Sequence, residues 1–196
     1  MMKFFPGAYV FPGGALDSSE DNSKIEGYRN AALRESHEEI GLPLKFVSSD
    51  DLLFLSRWLT PEFEKKRFDT FFFLTQLKSN FDIKLDEVEI TDYLWIELNT
   101  AVAKSLSGEI FLPPPTFWNL CLVKMNLKNI LKSLAPDTSK VNDPLSNEIL
   151  TPFMKESGGK SELALDDSYL ANLRRFYKDI PRFRCFFENG ISYTLT

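Results

Sequence analysis

A turn that only small residues make readily, followed by a helix whose faces and end are both marked, fixes the first quarter of this chain. Phe11-Pro12-Gly13-Gly14 closes a short apolar run, Ala8-Tyr9-Val10-Phe11, whose residues favour a strand. The helix is expected from Glu26 to Gly41, with Gly41 as the left-handed residue after its last turn and Pro43 beyond it. Along Arg34-Glu35-Ser36-His37-Glu38-Glu39-Ile40-Gly41-Leu42, the i, i+3 and i+4 spacing puts Glu35, Glu38 and Glu39 on one face, while Leu33 and Ile40 fall on another. Clustered like charge opposes helix formation. A solvated acidic face is one account of it; a site for a hard divalent cation, which takes oxygen ligands and keeps waters that a phosphate can displace, is the other.

These residues resemble the Nudix box, G-x5-E-x7-R-E-U-x-E-E-x-G-U with U apolar. The x7 interval from Glu26 to Arg34 is kept, and so is the string from Arg34 to Leu42 except that Ser36 stands at an apolar position. Eleven residues separate Gly14 from Glu26 where the pattern has five. The extra length is assigned to Asp17-Ser18-Ser19-Glu20-Asp21-Asn22, read as a solvated surface excursion rather than a set of metal ligands. Glu26 also has a framing role, because Ser23-Lys24-Ile25-Glu26 has the form of a capping box with Ser23 as N-cap. Glu26 and Gly41 are therefore expected to be structural members of the box.

The resemblance implies that Glu35, Glu38 and Glu39 bind Mg2+ or Mn2+ against a diphosphate, with Glu38, Glu89 and Arg34 as the catalytic set. Arg34 lies at i, i+4 from Glu38 and would orient a carboxylate, or else make a surface pair worth about 0.2–0.5 kcal/mol. Glu87 and Glu89 both lie where many Nudix enzymes carry a metal-binding or basic glutamate; Glu89 is preferred, with a solvated pair of loop glutamates as the competing account. His37, the single histidine, points away from the acidic face on a helical wheel, which favours a surface or interface role over a proton shuttle. Gly13, Gly14, Arg57, Trp58 and Arg67 are the substrate-binding candidates: the arginines for phosphates, Trp58 for stacking on adenine. Each has a structural reading as well.

The 196 residues suit a single domain over 1–196, with the box at 13–42 and a carboxyl-terminal helical and hairpin extension from about 116 to 196. A formal net charge of -5 without a basic stripe argues against polymeric nucleic acid as partner. Cys121 and Cys185 lack metal-type spacing and read as free thiols of a reducing compartment. No apolar run reaches transmembrane length and Met1 to Phe5 is too short for a signal peptide, so a cytoplasmic location without membrane contact is the simplest expectation. A homodimer is compatible with the sequence.

Strands are expected at Leu52 to Leu59, Phe68 to Leu77 and Leu94 to Ile96. Short and long helices are expected from about Thr100 to Leu106 and Phe117 to Leu134, the second with Leu120, Val123, Leu127, Ile130 and Leu134 on one face. Pro136 to Lys160 reads as an extended connection and Arg182 to Thr196 as a hairpin. The mixture gives an α/β fold class, and the resemblance implies a Nudix-type α/β/α sandwich with a mixed sheet. Because the first strand candidate begins almost at Met1, the resemblance implies either a true start further upstream or a sheet lacking its amino-terminal strands. Ser56 to Pro61, Arg67 to Phe72, Leu112 to Thr116 and Leu165 to Tyr169 resemble the Nudix hydrolase 19 branch, which includes coenzyme A diphosphatases. The substrate so implied is coenzyme A or an acyl derivative, cleaved to 3',5'-ADP and a phosphopantetheine. ADP-ribose or NADH hydrolysis, or a ligand-binding module without turnover, are the alternatives.

Overall fold

The computed structural model describes residues 7–133, 149–150, 152–157, 160–165, 183–186 and 192–195. Its first element is helix α1, Ile25–Ile40. Strands β1, Leu53–Leu59, and β2, Asp69–Leu74, follow and pair antiparallel, with a register shift between Phe54 and Ser56. Helices α2, Leu98–Leu106, and α3, Pro114–Ser133, come next. Strand β3, Ile149–Leu150, then returns to lie parallel to β1, so the sheet β2-β1-β3 is mixed. A second, antiparallel sheet runs in the order β4 (Phe153–Ser157), β5 (Lys160–Ala164), β6 (Phe183–Phe186), β7 (Ser192–Leu195). The fold is α/β, and among the described residues no helix is long and apolar enough to cross a membrane.

The core lies between β1 and α3. Phe54, Leu55 and Trp58 of β1 meet Trp118, Leu122 and Ile130 of α3, with the Trp58 and Trp118 rings edge to face at 5.6 Å. The β1–α3 seam also buries a polar chain. The Trp58 indole N–H donates to Ser56 Oγ, Ser56 Oγ donates to Asn119 Oδ1 at 2.8 Å, and the Asn119 amide donates to the Pro115 carbonyl, so the side chains of Trp58, Ser56 and Asn119 each have a partner. On its other side, α3 packs Phe117 and Cys121 against Val102 and Leu112. Two faces of α3 are thus buried. That is why Leu127, placed in the expected apolar stripe, is exposed while Trp118 and Asn119 are fully buried. Helix α3 also starts at Pro114, three residues earlier than expected, because a proline is tolerated in a first turn whose N–H groups need no helical partner.

Several other expectations are corrected. Residues 8–11 and 94–96 form no strand; the first is tied down by Tyr9 N–H donating to Phe111 O, and the second leaves Trp95 exposed. Residues 149–165 are not merely a connection but supply β3, β4 and β5. The expected hairpin pairs β6 with β7, while its turn lies outside the described residues, as do Leu134 and Asp166 to Tyr169. Cys121 is a free, buried thiol whose pKa burial pushes up to about 11.

Candidate active site

Helix α1 buries little of itself, so its position depends on what grips it. Gly41 ends it in the left-handed conformation, φ 70°, with its N–H on the His37 carbonyl and the Leu42 N–H on the Ser36 carbonyl. His37 joins this cap, its Nδ1 2.9 Å from the Leu42 carbonyl, and the proton must sit on that nitrogen because the carbonyl can only accept. Ser36, the polar residue at an apolar position of the box, turns its hydroxyl back onto the Ala32 carbonyl at 2.7 Å. At the amino end, Tyr28 stacks on Phe71 of β2 with ring centroids 3.8 Å apart. The capping box expected there is absent: Lys24 is the N-cap and offers no side-chain bond, while Ser23 bonds Asp21 instead.

Arg34 is the hub of the site. Its five N–H groups make five bonds. Nε and one terminal nitrogen grip the two oxygens of Glu20 at 3.1 and 3.2 Å, and that nitrogen also meets the Ala15 carbonyl at 2.9 Å. The other terminal nitrogen bridges Glu35 at 2.9 Å and Glu38 at 3.0 Å. One guanidinium therefore fixes two carboxylates of the acidic face and ties them to the loop. These pairings hold the Arg34 pKa above its ordinary value, the Glu20 bond first among the causes.

Glu20 is what sequence reasoning missed. Its side chain is 9 % exposed and paired, far from the solvated loop residue expected. Glu26, by contrast, keeps a 46 % exposed side chain and reaches only Arg29, at 3.5 Å. The signal was present in the spacing, since Glu20 follows Gly14 by the five-residue interval of the box. The extra residues thus lie after this glutamate, between Glu20 and the helix. Gly27 permits the fold-back, since a β-carbon there would stand 2.1 Å from the Asp21 carbonyl oxygen.

The two glycines of the turn serve the carboxylates. Gly13 N–H donates to Glu39 Oε2 at 2.9 Å. At Gly14 a β-carbon would stand 2.3 Å from Glu35 Oε1. Because the crowding atoms belong to the tip of a flexible side chain, Gly14→Ala is expected to displace the Glu35 carboxylate without unfolding the turn. Turnover should fall about 10–100-fold, as for loss of a group that orients a metal ligand, with the melting temperature nearly unchanged. Activity and melting temperature falling together would show that the turn itself had collapsed.

Glu39 is half-buried, and its pKa lies above the ordinary carboxylate value. Burial is the main cause, the Gly13 N–H opposes it, and the charges of Glu35, Glu89 and Asp86 add to it. The 84–86 segment is brought alongside by Lys84 N–H on the Ile40 carbonyl and Asp86 N–H on the Glu39 carbonyl. So Glu89 and Asp86 act on Glu39. Asp86 was not anticipated, and Glu87 is simply exposed. The native state holds the Glu39 proton more tightly than the unfolded chain, so this group costs stability as pH rises through its raised pKa. Glu20 behaves oppositely: the Arg34 bonds lower its pKa, so its stabilisation is complete above the ordinary carboxylate range and is lost as pH falls through the depressed value. A thermal-melting series from neutral to acid pH should therefore fall less steeply for Glu20→Gln than for the wild type, and parallel curves would remove this pair from the acid response.

The other substrate candidates stand elsewhere. Arg57 is committed to Asp69 through two bonds and lies over the Phe71 ring at 4.8 Å. Trp58 is 3 % exposed within the core, which leaves no face for a base to stack on. Arg67 is exposed in the β1–β2 connection, its Nε donating to the Thr60 carbonyl.

A family model of the NUDIX domain matches residues 2–113, more than half of the chain. The chain belongs to the Nudix family. It is 29% identical over 150 residues to a Caenorhabditis elegans protein carrying the name nudix hydrolase 7, covering 60% of this chain and 50% of that one. It is 32% identical over 120 residues to the human acyl-coenzyme A diphosphatase NUDT19, covering 59% and 31%, and 27% identical over 110 residues to the Xenopus laevis protein of that name, covering 53% and 29%. The chain thus spans about a third to a half of these relatives' length. No solved structure matches it.

Nudix proteins generally use divalent metal ions. Among the described residues no group of three or more acidic, histidine or cysteine side chains is gathered into a ready-made cation site. The donor set nevertheless fits a hard cation: Arg34 and Gly13 each engage a single oxygen of Glu35, Glu38 and Glu39. Glu35, Glu89 and Asp86 also place their negative charges close enough to Glu39 to add to the effect of its burial, which is the kind of acidic surrounding a hard cation offsets.

Proposed function

We propose that this Nudix chain is a Mg2+- or Mn2+-dependent diphosphatase acting on coenzyme A or acyl-coenzyme A, releasing 3',5'-ADP and a phosphopantetheine. The observation that carries the reading is the Arg34 hub, which sets Glu35 and Glu38 on the helix face that also bears the half-buried Glu39. The names of the two NUDT19 relatives support the substrate class.

Glu35, Glu38 and Glu39 are the residues that would bind the metal, which when bound neutralises charge on the phosphoryl oxygens and makes an attacking water more acidic. Arg34 positions two of those carboxylates and Gly13 orients the third. Glu89, on the segment bonded to the Glu39 carbonyl, is the group proposed to take the proton from the attacking water. In-line attack at one phosphorus of the diphosphate breaks the bond to the bridging oxygen, and each product leaves with one phosphate.

The test is product analysis after incubation with coenzyme A, ADP-ribose and NADH, with and without Mg2+ or Mn2+. Metal-dependent release of 3',5'-ADP from coenzyme A is the expected result. Faster hydrolysis of ADP-ribose or NADH would move the substrate class, and a folded chain that binds these compounds but cleaves none would be a ligand-binding module.

A further inference from the structure

Next to the segment that carries Asp86 and Glu89 lies a cavity of about 660 Å3, lined by Asn80, Phe81, Asp82, Ile83, Tyr93 and Trp95. Its composition is unusual for a surface. Trp95 is 63 % exposed and Tyr93 49 % exposed, although rings of this size ordinarily bury most of their area. Trp95 is braced all the same. Phe81, itself packed on the Leu42, Val47 and Leu52 cluster, meets it edge to face, with centroids 6.2 Å apart and planes at 82°. Further along the same arm, Asp92 accepts a bond from the Tyr9 hydroxyl at 3.0 Å and from the Tyr93 N–H at 2.8 Å.

We propose that this cavity receives the purine base of the substrate, stacked on Trp95, with Asn80 and Asp82 reading its edge. The inference rests on the diphosphatase reading and adds the base-binding residues to it. An aromatic ring offers a face that any base can use, and an asparagine amide pairs with the exocyclic amine and ring nitrogen of adenine. A carboxylate accepts from the same amine, so Asn80 and Asp82 favour adenine over uracil, which has no such amine. The location suits a nucleoside diphosphate: Ile83 of the lining is followed directly in the chain by the 84–86 segment, where the Lys84 and Asp86 N–H groups bond the helix end that bears Glu39. A base held here would lie one short segment of chain away from the helix end that bears Glu39.

The chain has three tryptophans, and Trp58 and Trp118 are 3 % and 0 % exposed, so a ligand that quenches fluorescence by contact does so at Trp95. Titration with AMP should give saturable quenching that is weaker with UMP and absent in Trp95→Ala. With coenzyme A, Trp95→Ala should raise KM about tenfold, within the range for loss of one base stack, at nearly constant kcat, and Trp95→Phe should restore KM. Tyr93→Ala serves as a second variant should Trp95→Ala fail to fold. Quenching by 4'-phosphopantetheine in place of AMP, or an unchanged KM in Trp95→Ala, would overturn the assignment while leaving the diphosphatase reading intact. Quenching by AMP in a chain that hydrolyses nothing would support the base site and defeat the enzymatic reading alone.

Discussion

Exchange of Glu38 for glutamine is expected to give a protein that melts with the wild type and hydrolyses coenzyme A more than ~100-fold more slowly. The fold has little stake in this side chain, which is 54 % exposed and makes one bond, to Arg34. A glutamine can still accept that bond. What it cannot supply is the negative charge, and loss of groups that merely support a metal ligand already costs about 10–100-fold. Steady-state rates at saturating Mg2+, with circular dichroism to establish folding, make the measurement. Undiminished turnover would remove Glu38 from the catalytic set and return the acidic face to the status of solvated surface.

The second large effect belongs to Glu20. Glu20→Gln should lower turnover by about 10–100-fold, because the two-pronged grip that orients Arg34 loses its charge and one of its acceptors. Glu26→Gln should leave activity within about twofold of wild type, the surface pair with Arg29 being worth at most about 1 kcal/mol. Combining Glu20→Gln with Arg34→Ala tests the route of the effect: if Glu20 acts through Arg34, the double variant is no slower than Arg34→Ala. Equal losses for Glu20→Gln and Glu26→Gln would reject the distinction between the two glutamates.

That distinction also shows where a sequence can be read and where it cannot. From Arg34 to Leu42 the backbone is helical, so counting residues fixes faces and distances: the Arg34–Glu38 proximity and the Gly41 ending both follow from periodicity. Upstream of the helix the count runs through a loop, whose residues carry no fixed rise. Both Glu20 and Glu26 satisfied one of the two intervals of the box, and only tertiary contact with Arg34 separates them. Trp58 and Trp95 exchange their expected environments for a related reason. Trp58 sits on β1 where α3 covers the strand and is buried against Trp118, whereas Leu94-Trp95-Ile96 looks like a strand but has no described strand beside it. β-propensity describes a residue's fitness for a half-buried sheet, not the presence of a neighbour to complete one. The short strands β3, β4 and β5 were hidden in a stretch rich in turn formers: β3 is completed only by the distant β1, and β4 and β5 pair with each other across the two residues between Ser157 and Lys160.

The fold-back of the loop at Gly27 bears on how such a chain can diverge. Ala15 and Glu20 are clasped by Arg34 and the Asp21 carbonyl is pressed against Gly27, which leaves 22–24 as the only span between clasp and helix. Residues added to or removed from that span are expected to leave the Arg34 clasp in place, while an insertion between Gly14 and Glu20 is expected to pull the glutamate from the guanidinium. Length variation should therefore accumulate on one side of Glu20 and be purged on the other.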